Sequence, residues 1–84
     1  MAIAKLIPHY ALAKKIGEDV VDIDADTVGR MLSEGRRRWG NVFTEGVKLA
    51  AITVNGRSIN CMQGYGTPLS PDNQVWLVFP LDNG

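Results

Sequence analysis

The run Val75-Trp76-Leu77-Val78-Phe79 does most to limit what this chain can become. An uninterrupted apolar segment of that length reads as a buried strand. Pro80 follows at once and has no N–H to give to a further ladder rung, so the fold is expected to end there. Leu81-Asp82-Asn83-Gly84 then have no evident structural duty. A short tail ending in an unhindered glycyl carboxylate can enter a narrow active site and be modified there, whereas an ordinary terminus merely frays.

The 84 residues fit one domain, since single cores run from about 50 to 200 residues. A chain of that size hides only about 60–65% of its unfolded surface and holds a stability of about 4–12 kcal/mol, which leaves little room for an elaborate buried catalytic site. Nine basic against nine acidic residues give a formal charge of zero, so the composition supplies no general attraction to nucleic acid or to a membrane surface. Cys61 is the single cysteine. That excludes an intramolecular disulfide and a cysteine-built metal or iron–sulfur cage, and it suits a reducing cytoplasm. Met1-Ala2-Ile3-Ala4-Lys5 lacks the basic segment and long apolar run of a secretory signal. The apolar runs are strand-length, well short of the roughly 20 residues a membrane span needs. A soluble, cytoplasmic domain without bound cofactor or metal is the expectation.

Residues 2–7 are apolar but for Lys5 and stop at Pro8, as a first strand would. Tyr10-Ala11-Leu12-Ala13-Lys14-Lys15-Ile16-Gly17 is alanine- and lysine-rich and closes on glycine, enough for about two helical turns or a helix-like loop. Val20-Val21-Asp22-Ile23-Asp24 alternates apolar and acidic, the pattern of a strand with one wet face. Asp26-Thr27 offers an N-cap, and Val28, Met31, Leu32 and Gly35 recur at helical spacing, with Trp39 one turn further on. Arg36, Arg37 and Arg38 fall in the last turn, where cations suit the helix dipole, and Gly40 can supply the left-handed stop. Ala50-Ala51-Ile52-Thr53-Val54 is another strand, and Asn55-Gly56 behind it is the strongest two-residue hairpin signal, because a type I′ turn needs positive φ at both positions. Residues 57–60 are expected to fold back antiparallel. Residues 64–73 are turn-rich loop.

The order strand, strand, helix, strand, short strand, strand gives an α+β layer. It fits a β-grasp (ubiquitin-like) fold, a mixed sheet of four to five strands with one main helix on one face and the first and last strands central and parallel. The domain is expected over residues 1–80, with residues 81–84 as a flexible tail.

Those same residues carry a family resemblance. Val54-Asn55-Gly56, then Thr67-Pro68-Leu69 with the Asp72 corner, then the apolar last strand with Phe79-Pro80 and a terminal glycine, resemble the MoaD/ThiS ubiquitin-like sulfur carriers. In the N-terminal half, Ala11-Leu12-Ala13 leading to Gly17, and Asp26-Thr27-Val28-Gly29 with Met31-Leu32, are similar to that family's corresponding segments. The length is closer to the small subunit of molybdopterin synthase than to the shorter thiamine carrier. The resemblance implies a carrier rather than an enzyme. An E1-like adenylating enzyme would use ATP to activate the carboxylate of Gly84, and sulfur would replace AMP to leave a thiocarboxylate. In the molybdopterin branch the large synthase subunit would be the second partner. Phe79 and Pro80 would anchor the root of the tail, and Leu81, Asp82 and Asn83 would line the channel of the activating enzyme. The penultimate residue, Asn83, departs from the family's second glycine. Asparagine tolerates left-handed backbone but carries bulk into such a channel.

Other residues have plainer readings. Cys61 has no acid–base partner nearby in sequence and is expected to pack as a small residue. His9, the only histidine, is expected at the surface or in a loop. The arginine run is expected to be a solvated helix end with Trp39 turned inward. Gly64-Tyr65-Gly66 lacks the spacing, lysine and following helix of a phosphate loop. If one alternating set of the last strand faces the helix, the other lies, together with one alternating set of the first strand, on a bare sheet face suited to docking; Trp76 and Val78 are expected to be that outward set. Two alternatives to sulfur transfer stand beside this reading: a ubiquitin-like interaction module whose tail has no chemistry, and a protein modifier joined through Gly84 to lysine.

Overall fold

The computed structural model describes residues 3–78. The strands are β1 (Ile3–Ile7), β2 (Val21–Asp24), β3 (Ala51–Val54), β4 (Arg57–Ser58) and β5 (Gln74–Val78), and the helices are α1 (Tyr10–Ile16), α2 (Val28–Trp39) and α3 (Asn41–Lys48). One five-stranded sheet has the order β2-β1-β5-β3-β4. β1 and β5 run parallel at its centre, with Leu6 opposite Val75 and Ile7 opposite Trp76, and the other pairs are antiparallel. This is the β-grasp arrangement expected from the order of elements. The expected domain end at Pro80 and the tail over residues 81–84 lie outside the described residues.

The period of two in each strand sets the core. Ala4 and Leu6, Val21 and Ile23, Ile52 and Val54, and Val75 and Leu77 are all buried and join Leu12, Val28, Met31 and Phe43 from the helices. Fully burying a large apolar side chain is worth about 1.5–3 kcal/mol. These residues therefore supply the main driving force, and they fix each strand's register, since a one-residue slip would turn the set outward.

Helix α2 begins and ends much as its sequence signals. The Thr27 hydroxyl accepts the Arg30 N–H at 3.2 Å, and the Gly40 N–H donates to the Arg36 carbonyl at 2.7 Å. Gly40 itself differs from the expected left-handed stop. At φ 67° and ψ −140° it occupies a region closed to residues with a Cβ, and its carbonyl accepts the N–H groups of Phe43 and Thr44 to start α3. The glycine is thus a hinge between two helices rather than the entry to a loop. Helix α3 carries no signal that the pattern of residues 41–48 makes obvious. It has no side-chain cap, and its Val42, Thr44, Gly46 and Val47 are all weak helix formers. It is held by packing. Phe43 is buried against Gly35 of α2, Gly46 lies beneath Leu12, and the Trp39 and Phe43 rings meet at 5.6 Å.

His9 lies in the loop between β1 and α1, as one of the two expected placements has it, but it is not at the surface. It is buried, its Nδ1 accepts the Leu12 N–H at 3.1 Å, and its Nε2 lies 2.9 Å from the Gly46 carbonyl. Since Nδ1 needs a lone pair to accept, the hydrogen sits on Nε2 and is donated to Gly46. One imidazole therefore caps α1 and ties it to α3. Asn55 and Gly56 have φ of 53° and 89°, as a type I′ turn requires. The antiparallel return is shorter than expected, because residues 59–61 close into a 3-10 turn instead of extending the strand.

The loop before β5 is pinned to the start of α2. Thr67 is fully buried, its hydroxyl donates to the Gly64 carbonyl at 2.7 Å, and its own carbonyl accepts the Val28 N–H at 3.0 Å. The Leu69 N–H donates to the Asp26 carbonyl at 2.8 Å, and Leu69 fills the core between them. The Thr67-Pro68-Leu69 motif thus delivers the chain into β5.

Candidate functional site

All three helices cover one face of the sheet, and the described residues leave the other bare. On β5, Val75 and Leu77 are at most 1% exposed, while Trp76 and Val78 are 41% and 37% exposed. The outward set is therefore Trp76 and Val78. Their cross-strand neighbours follow from the register. Ile7 of β1 and Thr53 of β3 flank Trp76, and Ala51 of β3 lies opposite Val78. Directly opposed side chains on one face sit about 4.5–5.5 Å apart at Cβ, near enough to form a continuous apolar strip. Ile3, 51% exposed at the start of β1, adds a further apolar residue to this face.

The strip has a polar margin. Lys5, opposite both Asp22 and Gln74, forms an ion pair with Asp22 at 3.1 Å. The Trp76 Nε1–H donates to Gln74 Oε1 at 3.2 Å, two residues back on the same strand, and the residue stays partly exposed. An indole with its one polar atom satisfied presents apolar area at little entropic cost, as the anchor residues of protein interfaces do. The expected face held Trp76 and Val78 together with one alternating set of the first strand, which the structure identifies as Ile3, Lys5 and Ile7. Ala51 and the Lys5–Asp22 pair were missed, and only the pairing of distant strands could have found them.

Phe79, Pro80, Leu81, Asp82, Asn83 and Gly84 lie outside the described residues. Their place in sequence sets them directly after Val78, at the end of the apolar strip. Cys61 is exposed, which corrects the expectation that it packs inside. It lies in the 3-10 turn after β4, where Ile59 is the residue that turns to the core. Among the described residues no cluster of three His, Cys, Asp or Glu side chains could hold a metal ion, and no helix is long and apolar enough to cross a membrane.

The arginine run is the solvated helix end that was expected. Glu34 accepts from Arg37 at 2.6 and 3.0 Å and from Arg38 at 3.1 Å. Those hydrogen bonds, Arg37's first, hold the Glu34 carboxyl below its usual value, and the bond from Glu34 raises Arg37 in turn. Trp39 is turned to the core as expected and packs against it half-buried.

No family model matches the chain, and no curated protein sequence does either. Solved structures do match. The small archaeal modifier protein SAMP1 of Methanosarcina acetivorans superposes with a TM-score of 0.85 at 16% identity, covering 100% of this chain and 98% of its own. A chain of the Amycolatopsis orientalis BexX/CysO complex matches at 0.81 and 14% identity, with 96% and 99% covered. A Pyrococcus furiosus protein assigned as subunit 1 of a molybdopterin converting factor matches at 0.76 and 18%, with 96% and 100% covered. The chain has the ubiquitin-like β-grasp fold of these proteins over essentially its whole length, and the sequence resemblance to the MoaD/ThiS carriers agrees with it.

Proposed function

We propose that this protein is a sulfur carrier that works through its C-terminal glycine. The observation that best supports the reading is the bare apolar strip on β5. It gives an activating enzyme a surface to hold, and the six residues that follow it in sequence lead from that surface to Gly84. The carrier supplies position and the partner supplies chemistry. A free α-carboxylate has a pKa of about 3.5, so at neutral pH it is an anion and a poor electrophile. An E1-like enzyme joins it to the α-phosphorus of ATP with loss of pyrophosphate. A sulfur nucleophile then attacks the acyl carbon, and AMP leaves with the bonding pair. A glycine end lets that carbon pass close to enzyme backbone. The carrier itself holds no cofactor. In the molybdopterin branch the loaded carrier would next dock on the large synthase subunit, through the same strip and tail.

Incubation with ATP, a sulfur donor and the cognate activating enzyme, read by intact mass, tests this. The expected gain equals the exchange of one oxygen for sulfur and disappears when Gly84 is deleted. An unchanged mass with an activating enzyme proven on its own substrate would overturn the reading. Asn83→Gly is expected to leave or improve loading. The structural likeness to SAMP1 favours one second reading, a modifier joined through Gly84 to lysine. Conjugates of higher mass in the same assay would select it.

A further inference from the structure

The layer opposite the bare sheet face contains a second surface with a different character. Helices α2 and α3 diverge from the hinge at Gly40, and between them runs an open groove of roughly 670 Å³. It is lined by the apolar Leu32 and Val47 over the buried Phe43, by Tyr65, and by the charged Arg36 and Lys48. Tyr65 is 62% exposed, a large apolar ring left outside the core.

The two cations differ in how they are held. Among the described residues, Arg37 and Arg38 both close on Glu34, whereas Arg36 on the groove side forms no ion pair. Lys48 reaches Glu45 at 3.4 Å, but both members of that pair are about two-thirds exposed, and such a contact is easily exchanged for another. A chain with zero net charge has thus concentrated two cations around one apolar trough. A nucleic-acid backbone would leave the apolar lining unused and would need a longer run of cations. An open trough also covers only one side of an occupant, which suits a segment of a larger partner better than an enclosed small molecule.

We infer that the α2–α3 groove docks an acidic segment of a partner protein, with leucine-like side chains on the apolar lining and carboxylates on Arg36 and Lys48. This surface lies on the far side of the molecule from Trp76 and Val78, so a second protein can be held while the sheet face and tail are engaged. The inference is independent of whether Gly84 carries sulfur.

A fluorescein-labelled 12-residue peptide with leucines at i, i+3, i+4 and i+7 and glutamates elsewhere provides the probe, with polarisation and amide NMR shifts as readouts. Saturable binding is expected, with shifts confined to α2, α3 and Tyr65. The surface double variant R36E/K48E should bind about tenfold or more weakly, and Tyr65→Ala should also weaken binding. Trp76→Ala should bind as the parent does. The inference fails if the peptide does not saturate at millimolar concentration. It fails equally if binding survives both groove variants, if replacing the glutamates by lysine leaves it intact, or if the shifts fall on the open sheet face.

Discussion

The two faces of β5 share a backbone and differ in everything their side chains do. Val75 and Leu77 meet three helices and are sealed from water; Trp76 and Val78, one residue out of phase, meet none. Both sets are apolar, so hydrophobicity by itself does not separate core from surface here. Helix coverage decides it. An apolar residue that the fold leaves uncovered is either an ordinary exposed side chain or a surface awaiting a partner. A strip joined across adjacent strands, with Trp76 oriented by Gln74, is the surface on which the proposed function places the partner.

Paired truncations on β5 give the largest contrast. Leu77→Ala should cost about 2–5 kcal/mol in urea unfolding, because it opens a cavity beneath the helices. Trp76→Ala should cost well under half of that and should instead weaken docking of the activating enzyme by tenfold or more. Equal stability losses would erase the distinction between the faces. The helix layer that creates the difference is open to the same treatment. His9→Ala removes the cap of α1 and one of the two hydrogen bonds to the Gly46 carbonyl, which keeps the Leu49 N–H at 3.3 Å; the expected loss is about 1–2 kcal/mol. His9→Asn should recover the cap and only part of that loss. Gly35→Ala would drive a Cβ into the Phe43 ring; the overpacking costs about 1–3 kcal/mol, offset by up to about 1 kcal/mol of helix propensity.

The outer side of the same layer should matter least. Glu34→Gln leaves Arg37 and Arg38 without their carboxylate on an exposed helix face, and thermal unfolding should shift only slightly. Its pH signature has a definite sign. The folded Glu34 carboxyl titrates below its ordinary value, so its contribution is complete above that ordinary value. The contribution is lost as pH falls through the depressed folded one. Carboxyl NMR titration of Glu34 should show that lowered midpoint, and Arg37→Ala should move it back up.

Much of this was legible in the residues. The strand positions, the Thr27 cap and the Asn55-Gly56 turn follow from local rules, in which neighbours in sequence are neighbours in space; the central parallel pair of β1 and β5 followed instead from the order of elements. The failures share a cause. Helix α3 exists because Phe43 finds a space over Gly35 and Gly46 finds one beneath Leu12, contacts that override poor propensity. His9 became an inter-helix clamp because Gly46, far away in sequence, brings a carbonyl to its Nε2. Cys61 lies outside because residues 59–61 coil into a turn with Ile59 directed inward.

The candidate site divides the same way. Alternation along β5 placed Trp76 and Val78 on one side of a strand, and the pattern of residues 54–80 pointed to the family resemblance. Which side lay bare, and that Ile7, Ala51 and Lys5 share it, depended on strands up to seventy residues apart coming into register. The groove between α2 and α3 was not foreseen at all, since its lining comes from two helices joined at Gly40 together with Ala50 and Tyr65 from elsewhere in the chain. Sequence fixes what each short segment prefers, because backbone preference and periodicity act over a few residues. Coverage, register and the spaces between elements are collective properties, decided only when the whole core has closed.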